Sequence, residues 1–431
     1  MSKPLNVGVA GLGTVGGSVV RLLQEQALVL ARRCQRPIQV VAVSARDRNR
    51  KRKADLDGIA WLDDPRELVG RAGVDVVVEL IGGADGVARE LCEGALGAGQ
   101  HVVTANKSLL ARHGHDLAQV AEERGVTLAF EASVAGGIPI VKTLREGVAA
   151  NTIERFYGIL NGTCNYILTT MAKTSAPFGV VLKEAQALGY AEADPAFDID
   201  GVDAAHKLSI LTSIAFGTQV NFAGVYIEGI RQITREDVAA ASSLGFVVKL
   251  LAMAERTPAG VIQSVYPCLV PKDRPIAHVD DVFNAIMLKG DYVGEMFVQG
   301  RGAGGNPTAS AVVADLIDIA NGRQTRPFGT PARDLLESES LPIDRREGHY
   351  YIRFHVRDRA GVVAEITGAL GREGVSIRTL LQKEDGQGSG GVPVTLTTHR
   401  CREQSVQKAL AAISGAEYLE EPPHLIRIEY L

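Results

Sequence analysis

Apolar and polar positions change rhythm twice along the chain. Leu5–Ala10 is a short apolar run of the kind that forms a buried strand. A glycine turn follows. Then Val19, Val20, Leu22, Leu23, Leu28 and Leu30 recur at helical spacing and predict a helix. Further apolar runs at 39–43, 74–80, 101–104 and 127–130 read as strands two to five, with helical stretches between them. Near-continuous Val, Ile and Leu strands alternating with helices predict a doubly wound parallel α/β sheet, covered on both faces, over 1–135.

From about residue 150 helical stretches cluster near 180–188, 203–216 and 235–254, with strand-like runs at 156–160, 261–266 and 292–299. This predicts an α+β domain over 136–325, whose glycine-rich turn at 300–310 starts a helix (300–320) that returns to the first domain. Residues 326–348 are rich in Pro, Gly and charge and read as a linker. Over 349–431 the pattern becomes strand, helix, strand, strand, helix, strand, a ferredoxin-like βαββαβ unit.

Composition narrows the function classes. The net charge of −4, from 46 basic and 50 acidic residues, argues against a chain that coats nucleic acid or an anionic membrane. No apolar run approaches the roughly 18 residues of a membrane span, and no charged-then-apolar leader opens the chain, so the expectation is a cytoplasmic protein. The five cysteines are scattered without a CxxC pair, which argues against a disulfide framework or a structural zinc site.

Gly11-Leu12-Gly13-Thr14-Val15-Gly16 is a G-x-G-x-x-G placed between a strand and a helix. Gly11 permits the tight turn, Gly13 lets backbone approach a pyrophosphate, and Gly16 lets helix and strand pack closely. The helix N-terminus offers free N–H groups and a partial positive charge to phosphates. A tight structural turn is the plainer alternative, but the context makes this a Rossmann-type dinucleotide site. The second strand ends in Arg46 rather than an acid, with Arg48, Arg50, Lys51, Arg52 and Lys53 behind it. Such a cluster suits a 2′-phosphate, hence NADP. Asp47 is also placed to hold a ribose hydroxyl, which leaves NAD open.

Two lysines carry candidate chemistry. Lys107 follows a strand whose carboxyl end lies on the ligand-binding edge, with Asn106 as a helix cap. Lys207 stands four residues after Asp203, on one face of a helix. Such a pair is ordinarily a surface ion pair of small worth. Upstream, however, the loop 189–201 holds Glu192, Asp194, Asp198 and Asp200. Acids that grip an ammonium group beside a lysine facing a developing alkoxide would suit a small zwitterionic substrate.

At this point the chain resembles homoserine dehydrogenases. The matching pieces are GLGTVGG (11–17), TANK (104–107), EASVAGGIP (131–139), NGT (161–163), GYAEADPAFDIDGVDAAHKL (189–208) and GRGAGGNPTASAVVADL (300–316), in order along the chain. The resemblance implies reversible NAD(P)-dependent interconversion of L-aspartate-4-semialdehyde and L-homoserine. It maps a catalytic lysine onto Lys207 and a cofactor- and substrate-facing lysine onto Lys107, with Asp203 fixing Lys207. Glu192, Asp198, Gly162 and Thr163 fall on substrate positions, and Gly304 on a glycine near the nicotinamide. A monovalent cation such as Na⁺ maps onto Glu131 and the backbone carbonyls of Val134, Gly136 and Ile138. Cys164 departs from the family's usual Thr. A semialdehyde-trapping nucleophile is one reading of it, a small packed side chain the favoured one. His206 points about 100° away from Lys207 around a helix and reads as structural.

The tail resembles an ACT domain through DRAGVVAEI (358–366) and GVSI (374–377), with Ala360 where such domains usually have Pro. That resemblance implies side-by-side pairing, hence a homodimer or homotetramer, and an amino-acid effector, with threonine the natural inference for a homoserine-producing enzyme.

Overall fold

A computed structural model describes residues 3–337, 339–382 and 391–431. The first sheet holds β1 (Leu5–Ala10), β2 (Ile38–Ser44), β3 (Ala60–Leu62), β4 (Val76–Glu79), β5 (His101–Thr104) and β6 (Leu128–Ala129). Their order is β3-β2-β1-β4-β5-β6, and all the pairs are parallel. Val7, Val9, Val76, Val77, Val78, Val102 and Val103 have no exposed surface, as a sheet covered on both faces requires. The carboxyl ends of β1 and β4, where strand order reverses, open the crevice in which ligands of such sheets bind.

The helix after β1 is shorter than the apolar spacing predicts. It spans Thr14–Glu25, breaks at Gln26 and resumes as Ala27–Cys34. Leu28 is 80% exposed, so its place in the pattern marks no core face.

The second sheet is larger. It holds β7 (Ile153–Ile159), β8 (Tyr226–Ile227), β9 (Phe246–Thr257), β10 (Gly260–Pro271), β11 (Phe283–Gly290) and β12 (Gly294–Arg301). It continues through β13 (Glu347–Arg357), β14 (Ile377–Gln382), β15 (Gly391–Thr398), β16 (Cys401–Arg402) and β17 (His424–Ile428). The path runs β12-β11-β7-β9-β10-β17-β13-β15-β14. The helix expected over 235–254 is corrected: it covers only Arg235–Ser243, and Phe246–Thr257 is a strand. That segment has an apolar residue on both faces of the sheet. Val248, Leu250 and Ala252 enter one core and Leu251 the other, so no periodicity separates strand from helix.

The described residues of 326–348 pack against both preceding domains. Phe328 lies against Phe130 with ring centroids 5.3 Å apart, and Leu336 and Ser340 bridge Thr218 and Val261. The helix Gly305–Ala320 returns to the first domain, burying Ala309, Val312 and Leu316 with Val19, Val20 and Leu23. In the tail, β17-β13-β15-β14 carry the helices Val362–Arg372 and Glu403–Ile413 on one face, a ferredoxin-like arrangement. Its last strand also pairs with β10, Cys268 with Arg427 and Leu269 with Ile428, so one sheet runs through both domains.

Candidate active site

The glycine turn has the shape a dinucleotide needs. Gly11 sits at φ 98°, in the left-handed region, and a Cβ there would lie 2.5 Å from the Leu80 carbonyl oxygen. A Cβ on Gly16 would run into the Gly11 carbonyl, whereas one on Gly13 would meet open space. Gly13 is thus the exposed point at which a phosphate can approach, and Leu12 packs beneath it. Thr14 and Val15 begin a helix that has no side-chain cap, so its first N–H groups remain for an anion. A cavity of about 440 Å³ continues from Gly11 and Gly13 past Ser44, Arg46 and Asp47 to Leu80 and Ile81. Arg46 is exposed at its rim. Arg52 is otherwise engaged, donating to the carbonyls of Arg50 (2.9 Å) and Asp47 (2.6 Å).

At the neighbouring edge, Glu79 is fully buried at the end of β4 and accepts from the N–H groups of Ile81 and Gly82 and from the Thr104 hydroxyl. Asn106 caps the helix Lys107–Arg124 by accepting from Leu109 N–H at 3.1 Å, and donates to the Gly83 carbonyl at 2.6 Å. These bonds fix the start of that helix, and so the base of Lys107.

Across the cleft the helix Val202–Phe216 is nearly all buried. It starts at Gly201, held at φ 84°, where a Cβ would press on Val265 and Ile227. Asp203 and Lys207 lie one turn apart, and Lys207 Nζ donates to Asp203 Oδ2 at 2.7 Å. Lys107 Nζ lies 2.7 Å from the other oxygen of the same carboxylate. One acid therefore orders two lysines from separate domains, a contact that no local spacing encodes. Lys207 Nζ also donates to the Leu160 carbonyl at 2.7 Å.

The electrostatics separate the two amines. Burial, helped by the nearby Lys107 charge, outweighs Asp203 and pulls Lys207 below the ordinary lysine value. Lys107 feels burial too, but Asp203, Asp198 and Glu192 overcome it and hold it above that value. Asp203 is buried, yet the two ammonium groups keep it well below the usual carboxylate range. Asp198 is pushed up by burial and by the Asp203 charge.

Asn161 joins these acids, donating to Asp198 Oδ1 and Asp203 Oδ2 at 2.8 Å each. Its side chain also caps the helix Gly162–Thr174 by accepting from Cys164 N–H. The sequence gives Asn161 no role of its own; its one signal is its place ahead of Gly162 and Thr163. Thr163 Oγ1 donates to the Tyr190 carbonyl at 2.7 Å and stands 3.4 Å from Asp198 Oδ2. A Cβ on Gly162 would lie 2.7 Å from the Val282 carbonyl oxygen. Glu192 is exposed on the same loop, its charge felt at Lys107. Phe197 places its ring 5.4 Å from Lys107 Nζ.

Cys164 is fully buried, its thiol 3.2 Å from the Asp198 carbonyl and pushed well above the ordinary value by burial. A buried, protonated thiol is a poor nucleophile. His206 faces Ser108 Oγ at 3.2 Å and stacks edge-on with Phe222, and burial lowers it to about 4. Gly304, at φ 120°, opens the helix Gly305–Ala320 near the glycine turn, where Arg21 donates to Asn306 at 2.7 Å.

Behind this cleft Glu131 is 2% exposed and accepts from the N–H groups of Val141 (2.9 Å) and Lys142 (2.8 Å). Burial and the equally buried Asp315 raise Glu131 to about 7. Ala135 and Gly136 form a left-handed turn between Val134 and Ile138, with Gly136 wedged against Gly302. The Lys142 amine pairs with the buried Asp315 at 3.1 Å and with Asp318, while Glu131, among the described residues, is held by backbone N–H groups alone.

A glycine-turn sheet facing paired lysines held by one acid defines an NAD(P)-dependent oxidoreductase. Residues 11–131 match the homoserine dehydrogenase NAD-binding domain, 139–317 the homoserine dehydrogenase family and 350–417 the ACT domain. The chain is 45% identical to a homoserine dehydrogenase of Pseudomonas aeruginosa over 435 residues, covering all of both chains. It is also similar to the crystal structure of a Thiobacillus denitrificans homoserine dehydrogenase, at 45% identity and TM-score 0.92, covering 99% of this chain and 98% of that one. A hyperthermophilic archaeal homoserine dehydrogenase mutant in complex with NADPH is similar at 27% identity and TM-score 0.63, covering 75% of this chain and 99% of that one. The chain belongs to the homoserine dehydrogenase family. Among the described residues no helix is long and apolar enough to cross a membrane.

Proposed function

We propose that the enzyme reduces L-aspartate-4-semialdehyde to L-homoserine, reversibly, with NADPH as the preferred coenzyme. The observation that carries this reading is the single carboxylate of Asp203 bonded to Lys207 and Lys107 at 2.7 Å each. When bound, the nicotinamide supplies the hydride equivalent to the aldehyde carbon. The Lys207 ammonium faces the substrate oxygen and gives it a proton as negative charge develops. Asp203 and the Leu160 carbonyl fix the amine, and burial lowers its proton affinity towards that of a useful acid. Lys107, held more firmly charged, orients the substrate oxygen and the cofactor edge. Glu192 and Asp198 grip the substrate ammonium group, and Gly162 and Thr163 line its backbone side.

For the coenzyme, Gly11, Leu12, Gly13, Thr14, Val15 and Gly16 hold the pyrophosphate, Gly304 closes on the nicotinamide side and Arg46 meets the 2′-phosphate. Support for NADPH comes from the exposed Arg46 and from the similar archaeal homoserine dehydrogenase mutant in complex with NADPH. Arg46→Ala raises KM for NADPH about tenfold and leaves NADH unchanged, read by initial rates with each coenzyme. An equal effect on both coenzymes overturns the assignment.

A monovalent cation, Na⁺, held by Glu131 and the carbonyls of Val134, Gly136 and Ile138 balances the buried Glu131–Asp315 pair and fixes the turn. The chain divides at 1–135, 136–325, 326–348 and 349–431. The ACT unit binds an amino-acid effector, threonine, and pairs with a second copy to give a dimer or tetramer. The five free cysteines suit a reducing compartment, and we place the enzyme in the cytoplasm. NADPH consumption with the semialdehyde, with and without threonine, tests the function as a whole.

A further inference from the structure

The ACT unit and the second domain meet at two buried ionic contacts, and one of them reaches the acidic loop. Arg427, on β17, is 2% exposed. Its guanidinium donates to both carboxylate oxygens of Glu403, at the start of the last helix, which is itself fully buried. It also donates to Glu228 at 2.6 Å and to the Tyr226 hydroxyl at 3.1 Å, and packs between the rings of Tyr226 and Tyr266. Glu228 and Tyr226 belong to the second domain, so Arg427 ties the two units together through a fork that a lysine does not reproduce.

The segment bearing Glu228 lies directly against the loop that leads into Asp203. Ile230 N–H donates to the Ile199 carbonyl at 2.8 Å. A Cβ on Gly229 would collide with the Ile199 carbonyl and Asp200, so only glycine allows this approach. Arg231 pairs with Asp200 through both carboxylate oxygens. On the far side of that loop, Asp198 and Asp203 share the Asn161 amide. From Arg427 to Lys207 there are thus short steps: Glu228, the Gly229–Ile199 backbone contact, then Asp198, Asn161 and Asp203.

We propose that Arg427 is a positioning residue for the active site: the ACT unit's last strand sets the Ile199–Gly201 turn, through Glu228 and Gly229, and so the geometry of Asp198 and Asp203. The inference rests on the catalytic reading above and deepens it. Any displacement of the ACT unit is transmitted to the substrate's ammonium-binding acids before it reaches the coenzyme site. The second contact supplies the control. Arg353 donates to the fully buried Asp237 at 2.8 Å, which also accepts from Tyr351 and faces His424 at 3.0 Å. Among the described residues, none of these partners forms a hydrogen bond or ion pair with the 198–203 loop.

Arg427→Met, Glu228→Gln and Arg353→Met in the full-length chain make the test, with KM measured separately for semialdehyde and coenzyme and with amide hydrogen exchange over 196–203. Arg427→Met and Glu228→Gln each raise KM for the semialdehyde roughly tenfold, leave the coenzyme KM within about twofold, and are not additive when combined. Both speed amide exchange over 196–203; Arg353→Met does neither, although it lowers the melting temperature. Arg427→Lys, kept in case the methionine variant does not fold, shows a weaker effect with the same split. Equal KM changes in the Arg427 and Arg353 variants, or unchanged exchange over 196–203, overturn the proposal. Absence of turnover by the unmodified chain overturns the functional reading instead, and the exchange result then still decides the relay.

Discussion

Two buried ionic clusters in this molecule use opposite cations. In the cleft, Asp203 is shared by Lys207 and Lys107; where the ACT unit meets the second domain, Arg427 grips Glu403 of its own unit and Glu228 across the join, and Arg353 grips Asp237. An arginine fork is planar, keeps its charge and bonds a carboxylate at two points, which suits a permanent join. A lysine is a point charge whose proton affinity follows its surroundings. The cleft exploits this, holding one amine below and its neighbour above the ordinary value with the same acid. Similar burial thus yields a fixed joint in one place and a movable proton in the other.

The largest expected effect is at the amine. Lys207→Met lowers kcat/KM by roughly 10³-fold, about 4 kcal/mol of barrier, while coenzyme binding by fluorescence is retained. Lys207→Arg does not rescue it, because a guanidinium keeps its proton. Turnover by the arginine variant near the wild-type rate would erase the contrast between the clusters.

The inter-domain acid predicts a stability effect instead. Arg353→Met leaves Asp237 buried with fewer partners and costs on the order of 3 kcal/mol, seen as a melting shift of several degrees. Asp237 and Asp203 both stand well below the usual carboxylate range when folded: burial opposes this, but His424 and Arg353 outweigh it for Asp237, as the two lysines do for Asp203. The stability each lends is full above the unfolded carboxylate value and is lost as pH falls towards the folded one. Melting curves from pH 7 down to pH 3 show this loss in the wild type, and a smaller one in Arg353→Met. The smallest effect is at Cys164: Cys164→Ser changes turnover by no more than a few-fold, as an initial-rate assay reads. Abolished turnover would instead favour a covalent role for the thiol.

Much of this architecture is legible in the residues. The glycine turn, the parallel strands and the βαββαβ tail follow from local pattern, and the Asp203–Lys207 spacing puts both groups on one helical face. What is not legible depends on distant chain. The Lys107–Asp203 pair joins residues from two domains, and Arg427 looks like any charged residue in a terminal strand. Phe246–Thr257 carries Leu, Ala, Met and Lys, good helix formers, yet twelve-residue pairing with β10 draws it into the sheet. The 326–348 segment has a linker's composition, while Phe328 and Leu335 tuck into the core.

The proton on Lys207 is best followed through the pH dependence of kcat/KM for semialdehyde reduction, in the wild type and in Asp203→Asn. Reduction needs the ammonium form, so the rate falls as pH rises through the Lys207 value, at a pH below that of an ordinary lysine. Homoserine oxidation rises over the same range. Removing the Asp203 charge takes away the group that supports the ammonium, so in Asp203→Asn the fall moves to still lower pH. A basic limb that stays in place in Asp203→Asn, or that is absent from the wild type up to the ordinary lysine range, would contradict the account.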